Sequence, residues 1–458
     1  MRQMNLTAAG ALILLALFWT GCRKTDLTPG VQPITIVVNA SYDPSGGHYD
    51  FPLTGIAIKL KNLLTGNEYE ALTDDKGIVV FKDLSAGTYD AEAVASIPRE
   101  TYESVTGITI DEESVILNAN LSNLMLNSST DNVIPLMLQL GKLGDWVFKQ
   151  IYYAGSHTKD GAVFRDQFIE LYNNSNDTLY ADGLYFTQLA GNRTAMRSVD
   201  LTKGYYIDNT ADPLYMQYDW SKSINMPAGI GAKANTDYVY ARSLFRIPGS
   251  GEEYPVYPGE SIIIAATALN HKAPYVDIDG EAITVNNPDL TVDLSNADFE
   301  VYLRDVISNA FASDINNPTV PNLLVITPGD RDLVLDATGR EAYAIFRTNV
   351  DIKTEWNQIA APDQKEISSS TDLYFQIPVD VVLDAVAIMH PNPSSRLAKK
   401  LPPMLDASFT FAPAGQYSSQ SIIRKVAKTV DGRKILMDTN NSSNDFDYLE
   451  KAEPGAFK

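Results

Sequence analysis

Ile56, Ile58 and Leu60 alternate with Ala57, Lys59 and Lys61. This period of two places the apolar side chains on one face of a strand and the lysines on the other. Similar short patterns surround it. Ile34 to Val38 is a β-branched run, Glu68 to Leu72 returns after a Thr65-Gly66 turn, and Thr73 to Gly77 turns the chain into Ile78-Val79-Val80-Phe81. Leu84 to Tyr89 and Ala91 to Ala95 extend the series. From Trp146 onward, apolar and aromatic runs such as Phe168 to Asn173 are again broken by Gly, Asn and Asp. Tyr257-Pro258-Gly259-Glu260-Ser261 leads into the continuous run Ile262 to Ala266, as expected of a strand buried on both faces. The pattern predicts a mainly β chain with one domain over 31–141 and a larger one over 142–458.

The N-terminus has a different pattern. After the single charge of Arg2, Leu6 to Thr20 is apolar apart from Thr7 and Gly10, ends in Gly21-Cys22, and is followed at once by Arg23, Lys24 and Asp26. This is the layout of a secretory signal, and about 15 apolar residues fall short of the roughly 20 that span a bilayer. We read 1–21 as a signal peptide and 22–30 as a polar linker closed by Pro29-Gly30. Cleavage would leave 437 of 458 residues, enough for two or three hydrophobic cores. With 45% hydrophobic residues and a mean hydropathy close to zero, that remainder is globular. Loss of Arg2 moves the formal charge from −21 to −22, so the surface repels nucleic acid and anionic membrane, and no nucleic-acid partner is expected. Cys22 is the single cysteine, which excludes disulfide stapling. The 24 tyrosines outnumber the 16 phenylalanines and four tryptophans, as suits half-buried strands and contact surfaces.

A lone cysteine directly behind an apolar run, with Gly21 before it, resembles a bacterial lipobox. Phe18-Trp19-Thr20 is bulkier than usual and is similar to the relaxed lipoboxes of Bacteroidota. The resemblance implies that Cys22 carries the lipid, and two or three acyl chains make a durable anchor where one is marginal. It also implies an outer-membrane lipoprotein on the cell surface or the periplasmic face. Surface export is associated with acidic residues after the lipidated cysteine, and Arg23 to Asp26 supplies one.

The stretch PLTGIAIKLKNLLTGNEYEALTDDKGIVVFKDLSAGTYDAEAV, residues 52–94, resembles the prealbumin-like, carboxypeptidase-regulatory or Cna-B type of β-sandwich. Such domains are spacers or docking modules. WVFKQIYYAGSHTKDGAVFRDQFIELYNNSNDTLYADGLYF, residues 146–186, resembles the opening of the lamin-tail domain, an immunoglobulin-like β-sandwich whose members carry a strand of the form FIELYN. Ser421 to Lys425 and the terminal Asp445-Phe446 and Pro454-Gly455 resemble its close. Plain lamin-tail domains are much shorter, so insertions are expected near 194–253 and 272–396. The whole chain resembles an uncharacterised Bacteroidota lipoprotein family that joins these modules and is often found near TonB-dependent outer-membrane receptors, which implies such a receptor as partner.

The sequence offers little catalytic chemistry. It contains no Gly-x-Ser-x-Gly elbow, no P-loop and no dinucleotide glycine fingerprint. His48, His157, His271 and His390 are each over 100 residues from the next, so no zincin-type pair exists. Asp438, Asn440, Asn441, Asn444, Asp445 and Asp447 offer oxygens of the kind calcium takes, but the alternation and closing glutamate of a calcium loop are absent. We read them as a hydrogen-bonded turn, and Asp277-Ile278-Asp279-Gly280-Glu281 likewise. Asp177-Thr178-Leu179 matches the three-residue O-glycosylation pattern of Bacteroidota, making Thr178 a modification candidate. The reading is a non-enzymatic binding or accessory lipoprotein without a cofactor. The alternative is an envelope hydrolase or hydrolase accessory whose carboxylate pair, about 5 to 10 Å apart, lies in the insertions.

Overall fold

The computed structural model describes residues 33–42, 50–106, 114–128, 132–140, 145–430 and 432–458. The signal segment, Cys22, the linker and His48 lie outside them.

Alternation builds the first domain. Its strands are β1 (Ile34–Tyr42), β2 (Ala57–Asn62), β3 (Glu68–Leu72), β4 (Ile78–Leu84), β5 (Gly87–Pro98), β6 (Ser114–Leu126) and β7 (Val133–Leu140), with one helix, α1 (Arg99–Thr106), between β5 and β6. They hydrogen-bond in the order β3-β2-β5-β6-β7-β1-β4. β7 bends this order into two layers: Val133 to Leu138 run parallel to β1, whereas its last residues pair antiparallel with β6. Ile36, Val38, Ile58, Leu60, Ala91, Ala93, Ile134 and Leu136 from the two layers form one core. Lys59 and Lys61 face outward, as the period of two requires. The predicted turn at Thr73 to Gly77 is also present. Asp74 accepts from the backbone N–H of Lys76 at 2.9 Å and of Ile78 at 2.8 Å. Gly77 has φ +78° and a Cβ there would collide with the Ala40 carbonyl, so only glycine fits.

The second domain is a larger β-sandwich. Its strands are β8 (Trp146–Tyr152), β9 (Phe168–Asn173), β10 (Leu179–Tyr180), β11 (Tyr185–Leu189), β12 (Tyr238–Arg246), β13 (Pro255–Val256), β14 (Ser261–Ala265), β15 (Tyr275–Val276), β16 (Ala282–Ile283) and β17 (Phe299–Glu300). There follow β18 (Leu324–Thr327), β19 (Ala342–Phe346), β20 (Gln358–Ala360), β21 (Leu373–Pro378), β22 (Val382–Ala387), β23 (Ser421–Arg424), β24 (Val426–Val430), β25 (Arg433–Leu436) and β26 (Phe446–Leu449). One sheet runs β17-β14-β9-β8-β23-β26 and the other β20-β21-β12-β11-β19-β22, with β18 added on β12. Phe148, Ile169, Leu171 and Ile264 of the first sheet meet Phe186, Phe245, Tyr343, Ile345 and Val386 of the second in a common core. A separate cluster built on Ala344, Phe346, Phe375, Leu401 and Leu405 covers the second sheet's other side. The unbroken apolar run of β19 is therefore buried throughout. In β14 the expected burial on both faces is incomplete: Ile262 and Ile264 are buried while Ile263 is half-buried.

One sequence expectation changes here. The segments 194–253 and 272–396 are not decorations on a finished sandwich, because β12, β19, β21 and β22 lie within them and occupy the second sheet. The polar, Gly- and Pro-rich stretches between these strands hid them. By contrast, the opening and closing motifs do meet in space. Gly455 N–H donates to Glu170 at 3.2 Å, and Gln150 exchanges bonds with the Glu453 backbone at 2.7 and 3.2 Å. Lys149 pairs with Glu170 at 2.8 Å in the interior and lies 3.7 Å from the Phe457 ring centre.

Candidate functional site

A cleft of about 310 Å³ opens where the two domains meet. The first domain supplies its charged wall. Because Ile58, Leu60, Ala91 and Ala93 point into the core, Lys59, Lys61, Asp90 and Glu92 must point out, and Glu68 of β3 joins them. Glu68 receives Lys59 at 2.9 Å and Lys61 at 2.8 Å, and these hydrogen bonds, Lys61 first, hold its carboxyl below the usual range. The second domain supplies the opposite wall. Arg396 is buried, reaches Asp90 at 3.3 Å, and lies 4.6 Å from the Phe409 ring centre and 5.7 Å from that of Phe411. Asp447 pairs with Lys458 at 3.1 Å. Hydrogen bonds join the two domains beside the cleft: Ser443 Oγ and Asn441 Nδ2 donate to Glu92, and Asn118 Nδ2 donates to the Thr439 carbonyl.

Behind that wall, Arg424 anchors the 438–448 loop. Its guanidinium meets Asp384 at 2.5 Å, Asp438 at 3.1 Å and Asp445 at 3.4 Å, donates to the Phe148 and Met437 carbonyls at 2.8 and 3.0 Å, and lies over Phe446. Two of the predicted calcium-type oxygens, on Asp438 and Asp445, are thus brought together around an arginine. The third carboxylate of that run, Asp447, is turned away to Lys458. Asn441 caps the helical turn Ser442–Asp445 by accepting from Ser443 N–H at 3.1 Å, in keeping with the hydrogen-bonded-turn reading. Asp384 was missed from sequence because it sits on β22 with nothing local to flag it.

The other candidates are dispersed. Asp277 accepts from the N–H of Asp279 and of Glu281 at 3.0 and 2.9 Å in the β15–β16 turn. Thr178 is exposed in the turn between β9 and β10. His157 is exposed beside Asp160, and His390 Nδ1 accepts from Asn392 N–H at 2.9 Å. His271 is fully buried, with Nε2 2.9 Å from the Thr267 carbonyl. Among the described residues, no group of three or more His, Cys, Asp or Glu side chains is placed to hold a metal ion. The segment from 194 also carries an aromatic stack that sequence did not place: Tyr206 lies on Tyr218, and Trp220 lies on Tyr240 with ring centres 3.7 Å apart.

Buried carboxyls set a pH dependence. Burial pushes Asp166 and Glu300 up to about 7 and Asp314 up to about 6. A folded-state value above the unfolded one, roughly 4, gives stability that is complete below the unfolded value and is lost as pH rises through 6 to 7. His271 acts oppositely, since burial pulls it down to about 4, so its contribution is lost as pH falls through that value. Three carboxyls outweigh one imidazole between pH 8 and 5.5. We expect calorimetry to show a higher Tm at pH 5.5 than at pH 8, and an equal or lower value would contradict this account.

Residues 257–453 match the model of a family described as "Protein of unknown function (DUF4876)". The match covers less than half of the chain, from the turn before β14 through Arg396, Arg424 and the 438–448 loop. Among solved structures, the chain is similar to a DUF4876 family protein from Bacteroides thetaiotaomicron VPI-5482, with 26% identity over 91% of this chain and 95% of that one and a TM-score of 0.48. No curated protein matches the chain.

Proposed function

We propose that this protein is a lipid-anchored, non-enzymatic binding component of the outer membrane, and that it takes its ligand in the cleft between its two β-sandwiches. The cleft carries this reading: a concave space lined by charged side chains of one domain and by phenyl rings and polar groups of the other suits a ligand with both charged and apolar parts. The carboxylates in it are engaged, Glu68 by two lysines, Asp90 by Arg396 and Asp447 by Lys458, which favours recognition over hydrolysis within the cleft. The anchor rests on Cys22 and the apolar run before it. The prealbumin-like and lamin-tail-like composition, and a TonB-dependent receptor as partner, belong to the same proposal.

The test is native purification of the acylated protein from membranes, followed by denaturation and mass spectrometry of what is released. The Lys59→Gln, Lys61→Gln double variant is the control, since exposed pairs of this kind contribute no more than about 1 kcal/mol each to folding. We expect a small molecule or a receptor peptide with the wild type and about ten-fold less with the variant, a loss of about 1.4 kcal/mol in binding. Equal recovery, or nothing from either, would overturn the cleft. Turnover of the released molecule by the protein would favour the hydrolase. Labelled palmitate should enter the wild type and not Cys22→Ala.

A further inference from the structure

The two outer faces of the first domain differ in character. The face of β3-β2-β5-β6 carries Lys59, Lys61, Glu68, Asp90 and Glu92 and is turned to the cleft. The opposite face, on β4-β1-β7, is mostly apolar, and three of its rows carry no charge. Register places Val80, Val37 and Val133 in one row across its three strands, Ile78, Asn39 and Pro135 in the next, and Ser41 beside Met137 in a third. Val80, Val133 and Met137 are 45%, 55% and 51% exposed. None of these eight residues carries a carboxylate, on a chain of formal charge −21. Lys82 and Asp83 are confined to the bulge at one end.

We propose that this apolar sheet face rests on the lipid surface of the membrane that holds the anchor. The inference depends on the lipoprotein reading given above. Two observations choose lipid as the occupant. Ile34, which opens the central strand of the face, follows Cys22 by 12 residues, and at about 3.3–3.6 Å per residue the tether reaches no farther than roughly 40 Å. The absence of carboxylates from these three rows removes the repulsion that the rest of the surface would meet at anionic headgroups, and apolar side chains of this exposure sink into the headgroup boundary. Because the cleft lies on the other side of the same sandwich, this placement turns the second domain and the cleft entrance away from the bilayer.

The experiment uses the full acylated chain on phosphatidylethanolamine and phosphatidylglycerol vesicles. Cys22 is acylated, so Val133→Cys or Ile224→Cys introduces the single free thiol. Ile224 is 49% exposed on the second domain. Flotation reports the anchor and the rate of reaction with a polymer-linked maleimide reports the face, each compared with the same variant carrying Cys22→Ala free in solution. We expect the Val133→Cys rate to fall at least about five-fold on vesicles, as for a side chain in the headgroup layer, with Ile224→Cys unchanged. Flotation with equal rates overturns the face and leaves the anchor standing. Failure to float overturns both. A slow Val133→Cys rate already in solution means that a second copy of the chain covers the face, and this also overturns the proposal.

Discussion

Arg424→Met is expected to lower folding stability by about 3–5 kcal/mol, the cost of leaving buried charge without its partner. Arg424 is 1% exposed and is the shared counter-ion of Asp384, Asp438 and Asp445. One guanidinium against three carboxylates leaves excess negative charge in the interior. Burial pushes the Asp384 and Asp445 carboxyls up, and Arg424 draws them only part of the way back, leaving them at about 7. Removing Arg424 raises them further, so the variant should recover stability as pH falls and its carboxyls take up protons. Urea unfolding at pH 5.5 and pH 8 measures both effects, and a loss below about 1 kcal/mol at pH 8 would show that the cluster is not held by Arg424. Arg424→Lys should lie between, because an ammonium cannot reproduce the fork that meets Asp384 and the Phe148 carbonyl together.

Glu341→Gln is expected to cost a comparable amount, about 3 kcal/mol or more, for the opposite charge reason. Glu341 is buried and receives Lys400 at 2.5 Å, Arg242 at 2.9 Å and Arg193. Burial alone would raise its carboxyl, but Lys400, Arg193 and Arg242 together bring it below the usual range. A depressed folded value gives stability that is present above the unfolded value and is lost as pH falls through the folded one. In the variant, Lys400 loses its counter-ion in a buried site that already lowers its ammonium. The penalty should therefore shrink toward pH 9, where Lys400 can shed its proton. A penalty that grows between pH 7 and pH 9 would contradict this assignment.

Legibility from sequence followed the range of the interactions. The β2 strand was readable because its alternation is local and period two places each residue on a face by itself. The Asp438 to Asp447 run could be read as a turn, since Asn441 caps its own neighbours. Its counter-ion could not, because Arg424 and Asp384 come from β23 and β22 and meet only when the sheets pack. The abundance of tyrosine suited half-buried strands and contact surfaces alike, and only the structure shows Tyr206 and Tyr218 stacked on each other. The strands inside 272–396 were overlooked for a similar reason: short apolar runs between long polar loops carry too little periodicity to stand out.

By itself the sequence determined the β class, the outward lysines of the first domain, the acidic surface and the apolar N-terminal run before Cys22. These follow from composition and near-neighbour spacing, which need no partner from elsewhere in the chain. Tertiary structure alone decided the cleft between the domains, the two buried charge clusters and the division of the first sandwich into a charged and an apolar side. Each joins residues that are distant in sequence, and sheet pairing and burial choose which of the many carboxylates and cations finally meet.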